Sequence, residues 1–153
     1  MSNVFSNLEP KLAAALHLKG WNPTPVQTST LPELCEGGDR IVVAPTGSGK
    51  TLSAVLPMLH RCLVEEWEPL SILYITPLRA LNRDVDRRLT EIAEAVGLKV
   101  GLRHGDTKQS ERTRQVRNPP DLLITTPETF QLMFTGKNLR ELLKRVQTVI
   151  IDE

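Results

Sequence analysis

Four short runs of apolar, largely β-branched residues constrain this chain most: Ile41–Ala44, Ile72–Ile75, Leu122–Ile124 and Val149–Ile151. Strands that are apolar at every position, not at every second one, are covered on both faces. A weaker run lies at Leu98–Leu102. Helical patterns separate them. The clearest sets Leu78, Leu81, Val85, Leu89, Ile92 and Val96 on one face, with Arg79, Arg83, Asp86, Arg87, Glu91 and Glu94 opposite. Gly97 is its stop. Further helices are expected from about Pro25 to Cys35 and from about Gly49 to Glu66. Strands alternating with helices predict an α/β fold, a parallel sheet with right-handed crossovers and helices on both faces. The 153 residues suit one such domain. The last strand reaches the final residues, which reads as a chain cut short of its natural end.

Composition excludes several classes. With 40% hydrophobic and 24% charged residues and a net charge of +1, the chain is not a disordered tail, a fibre or a coiled coil. No apolar run approaches the ~18 residues of a membrane span. Ala13–Leu16 stops at His17, so no secretory signal is expected. The expected location is cytoplasmic, with Cys35 and Cys62 as reduced core thiols. Charge is uneven: Arg79–Arg117 carries 10 basic and 6 acidic residues, a net of +4. Such an island either attracts phosphate backbones or forms a solvated helix face.

The strongest chemical signal is Ala44-Pro45-Thr46-Gly47-Ser48-Gly49-Lys50-Thr51, between an expected strand and an expected helix. A phosphate needs converging backbone N–H donors, and Gly47 and Gly49 allow close approach. The helix N-terminus adds partial positive charge. Lys50 can reach the β- and γ-phosphates, and the Thr51 hydroxyl can ligate Mg²⁺. Asp152 and Glu153 follow an apolar run, so they fall on the same strand edge as the loop. Asp152 suits Mg²⁺, and Glu153 can orient and deprotonate an attacking water.

Two corners, Thr76-Pro77 and Thr126-Pro127-Glu128, follow expected strands. Thr as N-cap with Pro next is a helix start, and each would present an anion site. Two of them imply a track of backbone phosphates, or two ordinary capped helices. Arg79 would lie in a first helical turn, where a cation implies a charged partner. Gln27, in Pro23-Thr24-Pro25-Val26-Gln27, is either an ordinary surface glutamine or one whose amide pairs with adenine N6 and N7.

These segments resemble superfamily-2 helicases. Pro23–Gln27 resembles the Q motif, Ala44–Thr51 motif I, Thr76–Asp84 motif Ia, Thr125–Glu128 motif Ib, and Ile151–Glu153 the start of motif II. Leu78–Arg83, Arg103–Thr107 and Thr125–Thr129 look most like the Lhr (large helicase-related) group. The resemblance implies a RecA-like ATP-binding domain over 1–153, with a Q-motif region at 1–39 and a P-loop core at 40–153, truncated after the motif II strand. A second RecA-like domain would be absent from it. The implied function is the motor half of an ATP-dependent helicase or translocase. Gln27, Thr46, Gly47, Ser48, Gly49, Lys50 and Thr51 would bind ATP. Lys50, Asp152 and Glu153 would be catalytic, with Mg²⁺ on Thr51 and Asp152. Pro77, Arg79, Asn82, Thr126, Pro127 and Glu128 would line a DNA or RNA track. Phe5 and Trp21 are candidates for stacking on adenine. The fragment alone would bind ATP and hydrolyse little. Alternatives are another superfamily-2 translocase and a stand-alone nucleotide-binding module. His104 and Asp106 have no derived role beyond a turn in which Asp106 or Thr107 caps a helix near Gln109–Val116.

Overall fold

A helix starts where its first backbone N–H groups find acceptors, and the N-terminal helices do so as their sequences dictate. The computed structural model describes residues 3–80 and 83–153. The chain forms two units, Met1–Glu66 and Trp67–Glu153. The first unit holds a 3-10 turn at Val4–Asn7 and helices α1 (Pro10–Leu18), α2 (Pro25–Glu36) and α3 (Lys50–Val64). Glu9 caps α1 by accepting from the N–H groups of Lys11 and Leu12. Thr24 and Gln27 form a reciprocal capping box on α2, with Pro25 at its first position. The Glu9 N–H donates to His60 Nδ1 of α3 at 2.8 Å, so the turn into α1 is tied to α3. Phe5, Leu12, Leu16, Leu31, Leu56 and Leu59 are buried in this unit.

The expected strand at Ile41–Ala44 does not form. Ile41 is 93% and Val43 90% exposed. An apolar, β-branched run becomes a strand only when a partner backbone takes its hydrogen bonds, and none of the described residues pairs with this one.

The second unit is a parallel sheet built from β1 (Ile72–Ile75), β2 (Val100–Arg103), β3 (Leu122–Thr125) and β4 (Thr148–Ile151). Its spatial order is β2-β3-β1-β4. Helices α4 (Arg83–Ala95), α5 (Gln109–Arg117), α6 (Pro127–Met133) and α7 (Lys137–Leu143) fill the connections. The central strands β1 and β3 are buried at every position, as their unbroken apolar runs require. Leu70, Leu73, Ile75, Leu123 and Met133 form one core cluster, covered by Phe130 and by Leu139, Leu142 and Leu143 of α7.

The helix expected from Leu78 is described from Arg83. A 3-10 turn at Leu78–Ala80 comes first, and it leaves Leu78 53% exposed. Val149 and Ile151 are not buried: β4 lies at an edge of the sheet, paired among the described residues with β1 alone, and they are 48% and 78% exposed. The weak run at Leu98–Leu102 forms its strand two residues later, at Val100–Arg103. Gly97, with φ +84°, ends α4 as anticipated. Among the described residues no helix is long and apolar enough to cross a membrane.

Candidate functional site

The loop Ala44–Gly49 leads directly into α3, whose first residue is Lys50. Gly47 (φ +78°) and Gly49 (φ +94°) both occupy the left-handed region, where a Cβ is costly. Their surroundings differ. A Cβ on Gly47 would meet nothing within 4 Å, so this side of the loop is open for a ligand. A Cβ on Gly49 would lie 2.7 Å from Gln27 Nε2 and 2.9 Å from Thr24 Oγ1. Gly49 is therefore small to admit the start of α2, whereas Gly47 leaves open space beside the loop.

Gln27 is 3% exposed and held at both ends of its amide. Its Oε1 accepts from the Thr24 N–H at 3.0 Å, and its Nε2 donates to the Gly49 carbonyl at 3.1 Å. A carboxamide has two lone pairs and two N–H groups on its ends, so one of each remains. Thr24 was absent from the expected site; its signal in the sequence was the capping box Thr-x-x-Gln. Lys50 Nζ donates to the carbonyls of Ala44 at 2.5 Å and Pro45 at 3.1 Å, which folds it back over the loop. Ser48 Oγ is buried and has no partner among the described residues. Thr46 is exposed and Thr51 half-buried at the start of α3. Phe5 is buried, 4% exposed. Trp21 is half-buried, with Lys19 Nζ 5.7 Å from its ring centre.

In the second unit, the C-terminal ends of the strands carry Thr76, Thr126 and Asp152. The Asp152 N–H extends the ladder to the Ile75 carbonyl at 2.9 Å. The phenol of Tyr74 donates to Asp152 Oδ2. Glu153 follows and is exposed. Thr126 caps α6 as expected: its hydroxyl accepts from the Thr129 N–H and Pro127 is the first helical residue. Glu128 is exposed on the first turn. Thr76 does not cap a helix, because the 3-10 turn replaces the expected helix start. Its hydroxyl is buried and has no partner among the described residues. Arg79 is exposed beside Pro77. Asn82 lies outside the described residues. No group of three His, Cys, Asp or Glu side chains among the described residues is placed to hold a metal.

The Arg103–Thr107 turn is built differently from expectation. Neither Asp106 nor Thr107 caps α5; its N-cap is Lys108, without a side-chain bond. Thr107 Oγ1 accepts from the His104 N–H at 2.9 Å, and His104 Nδ1 accepts from the Asp106 N–H at 3.1 Å. Arg112 closes the turn by donating to the carbonyls of His104 and Thr107. Arg103 is 7% exposed and donates to Gln115 Oε1 at 3.2 Å. Burial, with Arg112 nearby, holds its pKa below the usual arginine range.

A family model for the DEAD/DEAH box helicase matches residues 24–153. The chain belongs to the DEAD/DEAH box helicase family. Among its helicase relatives, the "Lhr helicase/ probable uracil glycosylase" of Mycolicibacterium smegmatis is 44% identical over 146 residues. The match covers 86% of this chain and 10% of that protein. The "ATP-dependent helicase Lhr-Core" of Methanocaldococcus jannaschii is 36% identical over 147 residues, covering 85% of this chain and 18% of that protein. This helicase chain thus spans less than a fifth of the length of these relatives. The structure of Mycobacterium smegmatis helicase Lhr bound to ssDNA and AMP-PNP superposes with a TM-score of 0.80 at 38% identity. It covers 99% of this chain and 21% of that one. The parallel sheet with its helices is the RecA-like fold of these helicases.

Proposed function

We propose that this chain is the ATP-binding motor part of an Lhr-type helicase, which couples ATP hydrolysis to movement on DNA or RNA. The observation that carries the reading is the Ala44–Thr51 loop. It has an open left-handed Gly47, a lysine at the first position of α3 and a buried, unpaired Ser48 hydroxyl. The structural relative bound to ssDNA and AMP-PNP supports it.

Each residue then has a physical role. Thr46, Gly47 and Gly49 offer backbone N–H groups to phosphate oxygens, and Ser48 joins them by exchanging its bond to the Pro45 carbonyl, aided by the N-terminus of α3. Lys50 exchanges its loop carbonyls for the β- and γ-phosphates. Gln27 keeps its bond to the Gly49 carbonyl and uses its free lone pair and N–H on adenine N6 and N7. The Thr51 hydroxyl and the Asp152 carboxylate would each hold magnesium through oxygen, the donor type that suits this hard cation. When bound, Mg²⁺ neutralises charge on the phosphates. Glu153 orients the attacking water and takes its proton. Pro77, Arg79, Asn82, Thr126, Pro127 and Glu128 line the nucleic-acid track, making backbone contacts that carry no base information. Efficient turnover requires a second RecA-like domain to supply the transition-state arginine, so these 153 residues bind ATP and hydrolyse it slowly.

The test is a thermal melt with Mg²⁺ and either ATP or GTP. Ligand at ~100 times its dissociation constant adds about 2.7 kcal/mol, a shift of several degrees. ATP should raise the melting temperature, GTP should not, and Lys50→Ala should abolish the shift. An equal response to ATP in Lys50→Ala would refute the assignment.

A further inference from the structure

The ends of three strands come level at the same edge of the sheet. Ile75 of β1 is in register with Ile151 of β4 and with Thr125 of β3. The next residues, Thr126, Thr76 and Asp152, continue both ladders: the Thr76 N–H donates to the Thr125 carbonyl at 3.0 Å, and the Asp152 N–H to the Ile75 carbonyl. Residues two apart on a strand share a face, and in-register neighbours of a parallel pair face the same way. Tyr74 and Thr76 therefore stand on the face that carries the Asp152 side chain.

Two independent facts then concern that carboxylate. The Tyr74 phenol, on a side chain 2% exposed and 78 residues away in sequence, donates to Asp152 Oδ2. Thr76, also 2% exposed, has a buried hydroxyl with no partner among the described residues. A buried hydroxyl left unpaired is destabilising, so a residue type that could be valine without loss of shape is polar here for another reason. A carboxylate pinned at one oxygen keeps the other free for a cation. A hydroxyl on the same face can bond a water that the cation holds.

We propose that Tyr74 and Thr76 are positioning residues for Asp152. Tyr74 fixes the carboxylate through Oδ2, and Thr76 receives a water of the cation shell. This rests on the reading of Asp152 as a magnesium ligand. Partners of metal ligands orient them and tune affinity, with losses of about 10–100-fold on mutation.

The test uses the 153-residue chain with Mn²⁺ as a paramagnetic stand-in for Mg²⁺ and a non-hydrolysable ATP analogue, reading Mn²⁺ affinity by electron paramagnetic resonance. Asp152→Asn should lose Mn²⁺ binding. Tyr74→Phe should weaken it about tenfold, and Thr76→Val should weaken it measurably. Both variants should leave nucleotide affinity in EDTA unchanged, which a merely structural role would not separate. If Asp152→Asn binds Mn²⁺ like the parent chain, the reading of Asp152 falls and the proposal with it. If Asp152→Asn loses Mn²⁺ but Tyr74→Phe and Thr76→Val keep it within twofold, the proposal alone is overturned. Should Tyr74→Phe fail to fold in the unliganded melt, Thr76→Val decides the outcome by the same criterion.

Discussion

Replacing Gly49 with alanine probes how the phosphate loop is held, and Gly47→Ala is its internal control. Both glycines have positive φ, +94° and +78°, so both substitutions force a Cβ into the left-handed region at about 1–2 kcal/mol. At Gly47 that is the whole effect, because the new methyl meets nothing within 4 Å. At Gly49 the methyl would sit 2.7 Å from Gln27 Nε2 and 2.9 Å from Thr24 Oγ1. Gln27 is 3% exposed and cannot swing away cheaply. The Gln27-to-Gly49 hydrogen bond is lost, worth about 1 kcal/mol. The capping box on α2 is disrupted, worth about 1 kcal/mol more. Gly49→Ala should therefore cost about 3–4 kcal/mol in all. At about 2–4 °C per kcal/mol for a chain of this size, it should melt about 4–8 °C below Gly47→Ala without nucleotide. Equal melting temperatures for the two variants would refute the idea that Gly49 is small in order to seat Thr24 and Gln27.

Two titrating groups give further predictions. Cys35 is pushed up from 9.0 to about 11, chiefly by burial, with Arg61 opposing and Glu36 adding to it. At pH 8 its thiolate is about a hundredfold scarcer than in the unfolded chain, so iodoacetamide should label it correspondingly more slowly in the fold. Its contribution to stability is complete below pH 9.0 and fades as pH rises toward about 11. His60 is shifted the other way. Burial lowers its pKa from 6.5 against the pull of Glu9 and Glu65, with Arg61 also lowering it. Its Nδ1 accepts the Glu9 N–H only when unprotonated. Its contribution is therefore present above pH 6.5 and is lost as pH falls below that value toward the folded pKa. Urea midpoints at pH 7 and pH 5 should differ less in His60→Ala than in the parent chain; an identical pH dependence would count against this role.

Local chemistry was enough to read much of this molecule. The Thr-Pro-x-Gln start of α2, the glycines of the loop before α3, Gly97 after α4 and the Thr126-Pro127 start of α6 each act within a few residues, so their marks stand side by side in the sequence. The buried runs at Ile72–Ile75 and Leu122–Ile124 likewise carry their own evidence, since a strand covered on both faces is apolar along its run.

Tertiary structure decided what depends on a distant partner. Ile41–Ala44 and Val149–Ile151 have the same apolar pattern. One forms no strand and the other becomes an edge, because backbone pairing is not a property of a segment alone. The order β2-β3-β1-β4 was equally invisible to periodicity. Gln27 reaches the Gly49 carbonyl across 22 residues, and Tyr74 reaches Asp152 across 78. Sequence assigned Asp152 a chemistry from its place after an apolar run. Only the parallel register of β1 and β4 brought a phenol to its side and set Thr76 on the same face, since hydrogen bonds between strands leave no spacing rule along the chain.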